Sequence, residues 1–148
     1  MARQRPHRVV LVASRFNQAV TSELEAGARR VLERAGLSSK QIRTVWVPGA
    51  FELPVAAAAA IAAQRPDAVV ALGCLIKGQT PQYAAIGHAV AEGLTQVAVT
   101  TRVPVTFGVI VADTFAQARN RAGGRSGHRG EEAAQAAIEM ITQVSNLS

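Results

Sequence analysis

Residues 68–76 read AVVALGCLI, nine positions in succession without a charged side chain. A continuous apolar run of this length predicts a strand buried on both faces, as a central strand of a parallel sheet must be. It is followed by Lys77-Gly78-Gln79-Thr80-Pro81, a turn that leads into a helix with Ile86, Val90, Leu94 and Val97 on one stripe. Upstream, Ile42–Val47 (IRTVWV) predicts a strand closed by Pro48-Gly49, and residues 51–64 an alanine-rich helix whose Pro54 suits a first turn. So many alanines imply close packing against a neighbour. At the start of the chain, residues 8–13 (RVVLVA) predict a buried strand broken by Ser14-Arg15-Phe16-Asn17. The next helix carries Val20, Leu24, Ala28, Val31, Leu32 and Ala35 at helical spacing and stops at Gly36. After the central strand, residues 105–111 predict a fourth strand, 114–122 a short helix, and 131–144 a last helix with Ala134, Ile138 and Ile141 inward.

Strands that alternate with helices, joined by right-handed crossovers, build a parallel sheet with helices on both faces. The expected fold is α/β, a flavodoxin-like three-layer α/β/α sandwich on a four-stranded parallel sheet. One domain spanning 1–148 is the expectation, because 148 residues suffice for one core and not for two. Hydrophobic residues make up 49% and charged residues 18%, which excludes a disordered chain. The longest apolar stretch, 54–63, is too short for a bilayer span of roughly 20 residues, and the basic N-terminus lacks a cleavage site. No membrane partner is expected. A single cysteine, Cys74, and no zinc-like spacing suit a reducing, cytoplasmic setting without a metal.

A formal net charge of +6 invites nucleic acid, since lysine and arginine neutralise phosphates. Against that, aromatics are only 4% and the arginines are scattered from Arg3 to Arg129 without a stacking motif. A small anionic ligand is the preferred reading, and no nucleic-acid partner is expected.

Ligands of such sheets bind beyond the carboxyl ends of the strands, so residues 14–17, 48–52, 77–81 and Asp113-Thr114 are the candidate edges. No dinucleotide or P-loop glycine pattern is present, and Gly124-Arg125-Ser126-Gly127 departs from a nucleophile elbow at His128. Gly78-Gln79-Thr80-Pro81 precedes a helix N-terminus, where free N–H groups attract a phosphate; the plainer reading is a turn capped by Thr80. Arg121 and Arg129 could supply a guanidinium to that phosphate, or form a solvated basic loop. Phe16 and Phe51 each follow a strand end and could stack on a planar ligand, or plug the core. Glu52 could accept hydroxyl hydrogen bonds, or simply complement a helix dipole. His88 and His128 each read as partly exposed helix or loop residues.

Taken in order, Ser14-Arg15-Phe16-Asn17, the segment 46–54 (WVPGAFELP), the segment 73–81 (GCLIKGQTP), Phe107-Gly108-Val109, Asn120-Arg121-Ala122-Gly123 and Gly127-His128-Arg129-Gly130 closely resemble the 6,7-dimethyl-8-ribityllumazine synthase family. The resemblance runs over nearly the whole chain. It implies the penultimate reaction of riboflavin biosynthesis, in which a transferase condenses 5-amino-6-ribitylaminouracil with 3,4-dihydroxy-2-butanone 4-phosphate and releases inorganic phosphate and water. No metal or organic cofactor is implied. Carried onto this sequence, the resemblance has Phe16 stack on the uracil, with Asn17 beside it, and the main chain of Leu75 and Ile76 bond its edge. Ala50, Phe51 and Glu52 hold the ribityl chain. Lys77, Gly78, Gln79 and Thr80 bind the phosphate with Arg121, and Phe107, Arg121 and Arg129 come from a neighbouring chain of a homopentamer. The short connection from Arg121 to Gly130 further implies a 60-subunit icosahedral shell, with riboflavin synthase a candidate partner.

Three positions depart from the family pattern. Gln82 stands where relatives usually carry a histidine that accepts a proton, and an amide cannot do so at neutral pH. Arg129 replaces a frequent lysine, and Lys77 a frequent arginine; both keep the charge. His88 lies six residues after Gln82 on the same helix, about 240° around, and is expected to face elsewhere. The alternative to a working enzyme is a catalytically weak shell or ligand-binding protein.

Overall fold

A computed structural model describes residues 6–78 and 81–148. Four parallel strands, β1 (Val9–Ser14), β2 (Ile42–Val47), β3 (Ala68–Ile76) and β4 (Val105–Ala112), lie in the order β2-β1-β3-β4. β3 is an interior strand, and all nine of its residues are buried. The registers run Val9 to Ile42, Val9 to Ala68 and Val69 to Val105. β1 meets β3 only as far as Ala13 and Leu72, whereas β4 follows β3 to Ile76.

Alternation along β3 divides the core. Val70, Leu72 and Cys74 face the layer of α1 (Gln18–Arg34) and α5 (Arg129–Asn146), together with Leu11, Leu24, Leu32 and Ile141. Val69, Ala71 and Leu75 face α2 (Leu53–Gln64) and α3 (Tyr83–Thr101), together with Val12, Leu53, Val90 and Leu94. The chain is therefore the α/β/α sandwich that the sequence predicts. α2 and α3 approach closely where Gly93 meets Pro54: a Cβ on Gly93 would stand 2.9 Å from Pro54 Cγ. No helix among the described residues is long and apolar enough to cross a membrane.

β1 and β4 differ by one residue from the expected bounds, α2 starts at Leu53 and not at residue 51 because a 3₁₀ turn precedes it, and two later elements differ further. The short helix α4 (Phe115–Asn120) ends before residue 122, because Ala122–Gly124 forms β5, which pairs antiparallel with β6 (Gly127–His128). Glycines at φ +106 and +95, Gly123 and Gly127, make this tight hairpin possible. α5 then starts at Arg129 and not at residue 131, since His128 caps it: Glu131 N donates to His128 Nδ1 at 3.2 Å. The ring packs against α1, where a Cβ on Gly27 would collide with His128 Cε1.

Candidate active site

At the carboxyl edge, the exits of β1 and β2 are tied together. Arg15 N donates to Val47 O at 2.7 Å and Phe16 N to Pro48 O at 3.0 Å. Asn17 adopts a left-handed conformation (φ 64) and its amide donates to Cys74 O at 2.8 Å, which fastens the same turn to β3. Phe16, held from both sides, keeps its ring half exposed at 49%. Across the β2 exit, Gly49 begins a 3₁₀ turn over Ala50–Glu52, with Gly49 N bonded to Glu52 Oε1 at 2.9 Å. That turn buries Ala50 and leaves Phe51 64% exposed. Neither phenylalanine plugs the core. Two aromatic rings at adjacent strand exits remain open to solvent, where burial would have been the favourable outcome for each alone.

The short reach of β1 leaves the end of β3 without a strand partner on that side. Alternation fixes what is presented there: Cys74 O points toward Asn17, and Lys77 N bonds Ala112 O on β4 at 2.9 Å. Main-chain groups in a strand alternate in direction, so those of Ile76 point to the open side and those of Leu75 toward β4. Burial pushes the Cys74 thiol from 9.0 up to about 12, which keeps it protonated and rules it out as a nucleophile at neutral pH. Ser14, the last residue of β1, is fully buried, and its Oγ, without a partner among the described residues, stands against Gly73 beneath Ala50 and Leu53. The sequence presented Ser14 only as part of a strand-ending turn.

Lys77 is exposed and Gly78 turns the chain at φ +88; Gln79 and Thr80 lie outside the described residues. Gln82 is exposed at the N-cap of α3, where its carbonyl accepts from Ile86 N at 2.9 Å. His88 falls on the outer face of α3 with Glu92, Gln96 and Val99, away from that edge.

The remaining candidates gather elsewhere. Phe107 sits midway along the edge strand β4, opposite Ala71, with 39% of its surface exposed. Arg121 lines a hollow of about 320 Å³ with Ala112, Asp113, Gln117, Asn120 and Ser126, and none of the residues around Phe16 and Phe51 enters it. The β5–β6 hairpin brings Arg129 beside Arg121 through Arg129 N to Arg121 O at 2.7 Å, while Arg129 Nε lies 3.8 Å from Glu132. Gln117 was not singled out in the sequence, and Asn120 and Ser126 entered it only as members of longer motifs; α4 and the hairpin after it bring all three around Arg121. The chain thus carries two part-sites, one at the β1–β3 exits and one along β4.

The family model described as 6,7-dimethyl-8-ribityllumazine synthase matches residues 6–145. The chain belongs to this family. Lumazine synthase is thereby its functional class.

Proposed function

We propose that this chain condenses 5-amino-6-(D-ribitylamino)uracil with 3,4-dihydroxy-2-butanone 4-phosphate to 6,7-dimethyl-8-ribityllumazine, with loss of phosphate and water. The observation that carries the reading is the pair of solvent-facing rings, Phe16 and Phe51, at neighbouring strand exits that are locked to each other by backbone hydrogen bonds. A planar pyrimidine stacks on Phe16, and the main chain of Ile76 on the open side of β3 bonds its edge. Ala50 and Glu52 run along the ribityl chain, whose hydroxyls donate to the carboxylate. Asn17 acts through position, since its amide is already committed to Cys74.

In the second part-site, Arg121 in its polar hollow fits a phosphate, with Arg129 beside it and the Lys77-Gly78 turn of an adjacent copy supplying the rest. One chain keeps these residues apart from Phe16, so two adjacent copies complete a site, as in a homopentamer. The exposed Val55 and Ala58 on α2 and Val99 on α3 are the apolar surface that such neighbours cover. The short β5–β6 hairpin supports the further assembly of pentamers into a 60-subunit shell.

The reaction begins with attack of the substrate amine on the ketone; phosphate then leaves, and ring closure expels water. Orientation of two reactants lowers such a barrier by roughly 7–11 kcal/mol. With glutamine at position 82, bound water and the substrates carry the protons. That same glutamine favours a second reading, a catalytically weak shell or ligand-binding protein, because the loss of a general base costs about 10²–10⁴-fold. Incubation with both substrates, followed by lumazine absorbance, separates the two. Turnover well above the uncatalysed rate supports the enzyme; a rate equal to it supports the weak shell.

A further inference from the structure

The arginines that look scattered in sequence converge at the opposite, amino edge of the sheet. Arg8 immediately precedes β1, Arg43 is the second residue of β2 with Lys40 just before that strand, Arg65 lies three residues before β3, and Arg102 three before β4. All five are exposed. Strand order places them as Lys40 and Arg43, Arg8, Arg65, Arg102, two cationic groups at β2 and one at each of the other three strands. At a spacing of about 4.8 Å per strand the row extends over roughly 15 Å. Arg8, Lys40 and Arg43 line one cleft, and Arg8 reaches across to Arg65 O at 3.3 Å. Asp67 at this edge accepts from the Arg8 backbone, Arg8 N to Asp67 Oδ2 at 2.8 Å.

Two of these cations occupy positions that disfavour them. Arg65 (φ 49) and Arg102 (φ 59) are the left-handed residues that end α2 and α3, where glycine is the unstrained choice. Each complements its helix dipole, yet a cation in the last helical turn would do so without the strain. The left-handed cap instead delivers the guanidinium to the edge of the sheet.

We infer that the amino edge of the sheet is a binding surface for the phosphate backbone of single-stranded nucleic acid, held by Arg8, Lys40, Arg43, Arg65 and Arg102. Four of the five are arginines, whose planar fork matches phosphate oxygens in pairs. Phe16, Phe51 and Trp46 all lie toward the other end of the strands, so this edge reads backbone charge and not bases. The surface is independent of the substrate site at the carboxyl edge.

The test is fluorescence anisotropy of a labelled 20-nucleotide single-stranded oligonucleotide titrated with the intact protein at several salt concentrations. Five neutralised phosphates give a log-affinity against log-salt slope of about −3.5. The variant Arg65→Gly/Arg102→Gly relieves both left-handed positions, so it keeps the fold while losing two contacts. Its slope flattens to about −2, and its affinity at 50 mM salt falls more than tenfold, on the order of tenfold per contact. Arg119→Ala, a charge lost on α4, leaves the slope at its original value. Absence of oligonucleotide binding at 50 mM salt, an unchanged slope in the double glycine variant, or equal flattening by Arg119→Ala overturns the inference. So does binding to phosphatidylserine vesicles without binding to the oligonucleotide.

Discussion

The side-chain amide of Asn17 reaches 2.8 Å across the end of the sheet to the carbonyl of Cys74, from a left-handed backbone at φ 64. This one residue turns the chain out of β1 and fastens the turn to β3, so the orientation of the Phe16 ring depends on it. Asn17→Ala loses a hydrogen bond worth about 1 kcal/mol and adds the left-handed cost of about 1–2 kcal/mol. Asn17→Gly loses the bond alone. Thermal melts should therefore rank the glycine variant above the alanine variant. Both should raise KM for the ribitylaminouracil more than for the butanone phosphate.

Gly27 of α1 leaves no room for a side chain beside the ring of His128, the N-cap of α5. Gly27→Ala drives a methyl into the imidazole ring, and overpacking of this kind costs about 3 kcal/mol, near 10 °C in Tm for a chain of this size. Replacing the ring with a short cap should restore most of that loss, so Gly27→Ala/His128→Ser is expected to melt well above Gly27→Ala. Equal melting temperatures for these two variants would place the strain elsewhere.

Arg121 supplies the guanidinium of the polar hollow at the carboxyl end of β4. Arg121→Ala should raise KM for the butanone phosphate strongly and KM for the ribitylaminouracil little, with Arg121→Lys intermediate because a point charge cannot grip two oxygens at once. Steady-state kinetics with each substrate varied in turn measures this. An equal rise for both substrates would make Arg121 a structural residue.

Gln82 stands at the N-cap position of α3, exposed, with no capping hydrogen bond from its side chain. If proton transfer there limits turnover, Gln82→His should raise kcat, up to the 10²–10⁴-fold range of general acid–base catalysis, and leave both KM values near their original levels. An unchanged kcat at saturation would show that orientation alone sets the rate.

The layers of the fold were legible because burial writes directly into composition. The run at 68–76 has no polar side chain to expose, and the stripes of α1 and α3 repeat at helical spacing, so order and packing follow from local pattern. The β5–β6 hairpin was not legible: residues 120–127 hold no apolar alternation, and their conformation comes from two left-handed glycines and the cap by His128. Phe16 and Phe51 were recognisable as candidates, but their exposure depends on bonds between Arg15, Phe16 and the β2 exit that no local pattern encodes. For the same reason the row of cations at the amino edge was invisible, since strand order and not sequence order makes those residues neighbours.

The separation of Phe16 from Arg121 within one chain leads to the central claim, that adjacent copies complete each active site. Its most direct test mixes two impaired variants, Phe16→Ala and Arg121→Ala, by joint refolding at equal concentration, and assays them at substrate concentrations far below the raised KM of either. In a head-to-tail ring, an interface that joins the intact Phe16 of one copy to the intact Arg121 of its neighbour arises by chance about one time in four. Lumazine formation under those conditions should therefore recover to about one quarter of the unmutated rate, well above the rate of either variant alone. No recovery, with mixed oligomers verified by mass spectrometry, would place both residues in a site belonging to a single chain and contradict the account.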